Sequence, residues 1–171
     1  MRNFHGIKPQ DVLIMLKLLV APKSSQKELS SSLFISQAEI SHGLQRLKIS
    51  RLLTVEGNVS LEACTEFLIH GLKYICPAEL GTLALGMRTS YSHPELKHVR
   101  YAADDIYVWP DPEGELKGIA LYPFYPTLPK ASRMDEKLYL IASLVEMIRV
   151  GRAREQKLAA KDLQKMIERL A

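Results

Sequence analysis

The order of apolar and polar positions divides the chain into helices and a few short strands. Residues 12–20 (VLIMLKLLV) are apolar at all positions but one, which predicts a helix covered on more than one side, by the chain itself or by a partner subunit. Pro9 suits its first turn, Asp11 suits the positive end of the helix dipole, and Pro22 stops it. Leu29 and Leu33 share one face of a short helix, Gln26–Leu33. Ile40, Leu44 and Leu47 follow the i, i+4, i+7 spacing of a longer one over residues 37–50. Leu53 and Val55 then alternate before Gly57-Asn58, and Val59 and Leu61 alternate after it, predicting a small hairpin. A further helix over 62–75 carries Phe67, Leu68, Leu72 and Ile75 and ends before Pro77; His70 within it is expected to be packed and hydrogen-bonded.

Residues 77–133 have a different texture. They hold seven of the nine prolines and five of the seven tyrosines, which excludes long helices. Residues 106–109 and 116–122 flank Asp111-Pro112-Glu113-Gly114 and predict a β-hairpin, the rest being ordered loop. Ser132 and Asp135 then cap a helix striped by Leu138, Ile141, Ala142, Val145 and Ile148 and ended by Gly151. A last helix over 154–170 has Ala159, Leu163, Met166, Ile167 and Leu170 on its apolar face.

Two capping boxes stand eleven residues apart, Ser25 with Glu28 and Ser36 with Glu39. They open the two helices joined through Leu33-Phe34-Ile35, the layout of a helix-turn-helix. Adding the first helix and the hairpin gives a winged helix. The expected fold is therefore mainly α with small β. It has a winged helix-turn-helix N-terminal domain (1–75), an irregular Pro/Tyr-rich middle with a β-hairpin (76–133), and a C-terminal helical hairpin (134–171) suited to dimerisation.

Pattern and composition then converge on a partner. Gln37, Ser41, His42, Gln45, Arg46 and Lys48 point away from the Ile40–Leu44–Leu47 stripe, and none is acidic. Glutamine and arginine read adenine and guanine edges bidentately, so Gln45 and Arg46 are the expected base readers; Lys27 and Lys48 suit phosphate. Ser36 and Gln37 open the same helix and join the expected DNA-binding set. Net charge is +4, divided as +4 over 1–60, −2 over 61–134 and +2 over 135–171, so the positive surplus lies in the expected DNA-binding segment and the tail.

The residues Leu33, Ser36, Ser41, Leu44, Leu47, Leu52 and Leu53 resemble the corresponding positions of bacterial winged-helix transcription regulators of the MarR-like kind, over about residues 9–61. Ser30, Phe34 and Arg51 stand where that family carries alanine, glycine and glycine. The tip, Glu56-Gly57-Asn58, lacks the arginine many such wings send into the minor groove. The resemblance implies a regulator of transcription that contacts double-stranded DNA through the second helix of the motif. A homodimer is expected because one recognition helix reads too few base pairs, and the two cysteines suit a reducing, cytoplasmic setting. The segment VWPDPEGELKGIALYPFYP with residues 150–155 resembles a group of bacterial winged-helix proteins without an assigned activity.

Other chemistry is sparse. Cys64 and Cys76 form no CxxC pair, so no metal, cofactor or disulfide framework is expected. Residues 1–10 lack the apolar core of a secretion signal, and 12–20 is too short to span a bilayer. Asp104, Asp105, His93 and His98 lack a nucleophile motif or a phosphate loop, and solvated loop residues are the expected reading rather than an enzyme. Tyr101, Tyr107, Trp109, Tyr122, Phe124 and Tyr125 suit either a small-molecule effector pocket or a stabilising mini-core. Arg149, Arg152 and Arg154 suit ion pairing with the acidic middle, or phosphate. A protein-interaction or ligand-sensing module that keeps a winged-helix shape is the alternative to a DNA-binding regulator.

Overall fold

The computed structural model describes residues 6–99 and 105–170, the side chains of 97–99 excepted. The chain is mainly helical with one small three-stranded sheet. Helices α1 (Pro9–Val20), α2 (Gln26–Leu33) and α3 (Gln37–Ile49) follow in quick succession. Ser25 caps α2 and receives the reciprocal bond, its backbone N–H donating to the Glu28 carboxylate at 2.7 Å. The second capping box is only half formed. Ser36 accepts from the Glu39 N–H at 3.3 Å, but the Glu39 carboxylate accepts instead from the Gln10 side chain of α1.

Both α2 and α3 end on a residue in the left-handed conformation, Phe34 at φ 57° and Arg51 at φ 59°. The following N–H reaches back across the last turn in each case, Ile35 to the Ser30 carbonyl at 3.2 Å and Leu52 to the Leu47 carbonyl at 3.0 Å. The Ser30 hydroxyl also donates to the Ile35 carbonyl at 2.5 Å, and the Lys130 ammonium lies 3.9 Å from the centre of the Phe34 ring. These contacts hold a non-glycine turn in a conformation that glycine adopts more readily.

The expected 53–61 hairpin is reduced to a single bridge between Leu53 and Val59. Thr54 N–H donates to the Asn58 carbonyl at 2.8 Å, and Gly57 turns the chain at φ 97°. Residues 61–75 form one run: α4 (Leu61–Glu66), a π-helical turn (Phe67–Gly71) and α5 (Leu72–Ile75). A wide turn shifts the phase of the apolar stripe. Leu68 and Leu72 remain buried, while Ile75 is largely exposed and His70 stands exposed rather than packed.

The middle segment departs most from expectation. β1 (Leu80–Arg88), expected as loop, pairs antiparallel with both β2 (Tyr107–Pro110) and β3 (Leu116–Leu121). The hairpin expected from 106–109 and 116–122 does not form: β2 and β3 run parallel, with Tyr107 opposite Ile119 and Val108 opposite Ala120. Glycines let the strands approach: a Cβ at Gly118 of β3 would collide with the Ile106 carbonyl oxygen just before β2, and one at Gly86 of β1 would collide with the Trp109 carbonyl oxygen of β2. A short helix, α6 (Leu128–Arg133), precedes α7 (Glu136–Val150), which Asp135 caps by accepting from the Leu138 N–H at 3.0 Å. Ser132, expected to share the capping, lies inside α6 with its hydroxyl buried. α8 is Ala153–Leu170.

One continuous core runs from Val12 in α1 to Ile167 in α8, taking in Leu33, Ile40, Leu68, Trp109, Leu138–Ile148 side chains and Leu163. Inside it, Glu146 accepts from Trp109 Nε1 at 3.1 Å and pairs with Arg149, whose Nε and Nη2 donate to the carbonyls of Cys76 and Pro77 at 2.7 and 2.9 Å. Arg149 is thus a buried clamp between α7 and the end of α5, its charge met by Glu146 of its own helix rather than by an acid of the middle segment. Arg152 and Arg154 are exposed. The apolar excess of α1 and α7 is covered within the single chain, so neither helix needs a partner subunit to bury it. No helix among the described residues is long and apolar enough to cross a membrane.

Candidate nucleic-acid interface

The interface is built on α3 and positioned by α1. Ile40, Gly43 and Leu47 face the core, and Leu44 is half-buried against α2. Gly43 sits where the two helices cross: a Cβ there would lie 2.6 Å from Ile14 Cδ1 and 2.9 Å from an Asp11 carboxylate oxygen. That close approach brings the next turn of α3 onto the start of α1. Arg46 Nε and Nη2 donate to the two oxygens of Asp11, each at 2.8 Å, and both residues are buried. Asp11 also accepts from the Lys8 N–H at 2.8 Å, as the capping residue of α1.

Arg46 is therefore not an exposed guanine reader. It lies on the flank of α3 that carries Glu39, and both turn toward the first turn of α1, Arg46 to Asp11 and Glu39 to Gln10. Hydrogen bonding to Asp11 pushes the Arg46 guanidinium further up, so it stays charged. The sequence signal is Asp11, a carboxylate in the first turn of an apolar helix that needs a cation once buried, although nothing local names Arg46 as its partner.

The other expected residues are brought together. Gln37, His42, Gln45 and Lys48 are exposed on α3, Ser41 is half-buried beside them, and Ser36 is exposed at the N-cap. Ser36 is occupied by capping, and Lys27 is exposed on α2. Ala38 and Ile49 share the outer face with His42 and Gln45; residue type hid them, since neither carries a hydrogen-bonding side chain. His42 Nδ1 lies 3.8 Å from a Glu39 oxygen. A cleft of ≈ 360 Å³ follows the inner border of this face, lined by Gln26 of α2, Ser41, Gln45 and Lys48 of α3, and Glu56 and Gly57 of the turn beyond. Lys48 leans toward that turn. Glu56 is held below the usual carboxylate range first by the Thr54 hydroxyl, with a smaller contribution from Lys48.

The rest of the candidate chemistry does not assemble. Tyr101 and Asp104, and the His98 side chain, lie outside the described residues; Asp105 is exposed. His93 is buried, its ring 4.0 Å from that of Tyr139. Trp109 and Phe124 enter the core, Tyr125 is half-buried against it, Tyr107 packs edge-on against Tyr91 at 5.1 Å, and Tyr122 points outward, so the described aromatics do not converge on one cavity. Among the described residues no group of histidine, cysteine or carboxylate side chains could hold a metal ion. Both cysteines are buried thiols, and burial pushes Cys64 up to about 12. Comparison of the chain with protein-family models, with curated proteins and with solved structures found no match.

Proposed function

We propose that this protein is a sequence-specific binder of double-stranded DNA that regulates transcription, with α3 entering the major groove from a winged-helix unit of the MarR-like kind. The observation that carries this reading is the exposed row of α3. Gln37, His42, Gln45 and Lys48 project from a helix whose other faces are fixed to α1 and α2, and its one carboxylate, Glu39, is turned to Gln10. Amides, imidazole and ammonium on a rigid helix are the donors that base edges and phosphates accept. Left-handed backbone at Phe34 and Arg51 adds support, because those are the two positions where such regulators carry glycine.

One recognition helix covers too few base pairs for useful specificity, so the reading includes pairing of two copies on a two-fold site. With α1 and α7 already covered, the pairing surface lies elsewhere. Leu80, Leu83 and Leu85 of β1 and the neighbouring Tyr122 are exposed apolar side chains available for it.

Selection of bound duplexes from random DNA tests the reading. Wild-type protein is expected to enrich a two-fold site, and Gln45→Ala and His42→Ala to relax preference at defined base pairs, by about 1–3 kcal/mol for a bidentate contact. A protein-interaction module of the same shape is the second reading. It is favoured by two exposed apolar side chains beside the row, Ile49 and Val55, the latter 87% exposed at the tip of the turn. Absence of duplex binding at low salt decides for it.

A further inference from the structure

The last helix carries a feature that base reading by α3 leaves unexplained. Its buried positions, Ala159, Leu163 and Ile167, repeat every four residues. Lys157, Lys161, Lys165 and Arg169 repeat with the same period two positions earlier or later, on the opposite side of the helix, and all four are exposed. None of the four pairs with a carboxylate among the described residues. Arg154 is exposed on the same side.

The acids around this row do not balance it. Glu155 and Asp162 are half-buried on its flank, and Asp162 already has an interaction partner. Glu168 is the one exposed acid on the helix, and it borders a groove shared with Glu62 and Glu66 of α4. On the other border, Lys137 of α7 and Glu95 share a groove with Lys165 and Arg169. Like charges four residues apart repel along a helix, and three such steps in succession weaken α8 unless an anion is present to offset them.

We infer that the exposed ridge of α8 is a second, sequence-independent contact with duplex DNA, made to the phosphate backbone. The inference rests on the DNA-binding reading of α3. Four cations at steps of about 6 Å form a ridge about 18 Å long, which lies along a polyanion bearing one charge per about 1.7 Å of axis. Insertion into a lipid surface would require an apolar helix face, and that of α8 is already in the core. α8 packs chiefly on α7 and more lightly on α1 and α4, the helices that precede and follow the α2–α3 unit, with the ridge on its solvent side.

The experiment titrates fluorescent mixed-sequence duplex DNA with full-length wild type, Lys161→Gln/Lys165→Gln and Lys157→Gln/Arg169→Gln across a range of salt, with Gln45→Ala in parallel and melting curves for every variant. All four substituted cations are exposed, so the fold is expected to persist, with melting unchanged or slightly raised by the relieved repulsion along α8. Each pair should weaken binding to every duplex alike, by roughly tenfold per lost cation at low salt, and make the salt slope shallower by about 2. Gln45→Ala should instead alter sequence preference with the slope unchanged. Wild-type affinity and slope in both α8 pairs, with Gln45→Ala still altering preference, would overturn the inference and leave the α3 reading standing. Loss of duplex binding by wild type itself overturns both. Tighter binding of the ridge to duplex RNA or to anionic phospholipid vesicles than to duplex DNA overturns the assignment of the partner.

Discussion

Arg46 and Asp11 form a two-pronged hydrogen-bonded ion pair that joins the middle of α3 to the first turn of α1, both donor–acceptor distances being 2.8 Å and both residues buried. Removing one member leaves the other charged and enclosed, a change that costs about 3–5 kcal/mol. Arg46→Ala is therefore expected to lower the unfolding free energy by that amount in urea titrations. Arg46→Lys should recover only part of it, because an ammonium lacks the planar fork that meets both oxygens. Wild-type stability of Arg46→Ala combined with lost DNA discrimination would return Arg46 to the base-reading role.

Gly43→Ala tests the same crossing from the packing side. An alanine raises helix propensity by about 1 kcal/mol at an unconstrained site. Here the new methyl would meet Ile14 Cδ1 at 2.6 Å and the Asp11 carboxylate at 2.9 Å, and overpacking of this kind costs about 1–3 kcal/mol. Ile14 is fully buried and the Asp11 carboxylate is held by Arg46, so neither side-chain end gives way freely and the net effect is expected to be destabilising. Thermal melting of Gly43→Ala beside an exposed control, Ser50→Ala, checks the sign.

Arg51→Gly should have the opposite outcome. Arg51 closes the C-terminus of α3 at φ 59°, its N–H donating to the Lys48 carbonyl at 3.0 Å, and its side chain is exposed. A left-handed L-residue costs roughly 1–2 kcal/mol, whereas glycine loses about 0.5–1 kcal/mol through the greater freedom of the unfolded chain. The balance is neutral to stabilising by up to about 1 kcal/mol. A drop in melting temperature on Arg51→Gly would show that the side chain makes a contact the backbone argument omits. Phe34→Gly should gain less, because it also removes the ring on which Lys130 rests.

These residues mark where the sequence was legible. Helix spans and caps depend on neighbours within four positions, and Gln26–Leu33 with its Ser25–Glu28 box is found as read. Glu39 and Arg46 were misplaced because their partners, Gln10 and Asp11, lie 29 and 35 residues away, and no local pattern reports such a pairing. The sheet failed for a related reason. β1 is interrupted by glycines and leaves Leu83 exposed, so it lacks the alternation of a half-buried strand, and the parallel β2–β3 pair depends on Gly118 lying against Ile106 and Val108. His70 was misread because it stands two positions from both Leu68 and Leu72, on the side of the helix opposite their buried stripe.

His93 gives the chain a pH dependence of known sign. Its ring is buried against Tyr139, its Nδ1 accepts from the Glu95 N–H at 3.1 Å, and its Nε2 has no hydrogen-bond partner among the described residues. Burial lowers its pKa from 6.5 to about 4, because the charged ring would lose its hydration and the Nδ1 acceptor. Between those values the unfolded chain binds a proton that the folded chain refuses, so unfolding free energy rises with pH across that window. The contribution of His93 is complete above about pH 6.5 and is lost progressively as pH falls to about 4, amounting to about 3 kcal/mol at most. His42 and His70 are exposed and offer no comparable burial. Asp111 and Asp135 are held below the usual carboxylate range by Arg133 and Lys17 against the opposing effect of burial, and their losses fall at lower pH. Glu146, raised by burial, contributes with the opposite sign, so urea unfolding followed through the fluorescence of Trp109, the single tryptophan, reads the His93 contribution as the difference between wild type and His93→Gln. His93→Gln keeps a polar planar group without a titrating ring and should flatten the profile between pH 6.5 and about 4, whatever its effect on stability at neutral pH. An unchanged slope in His93→Gln would mean that another group carries the proton linkage.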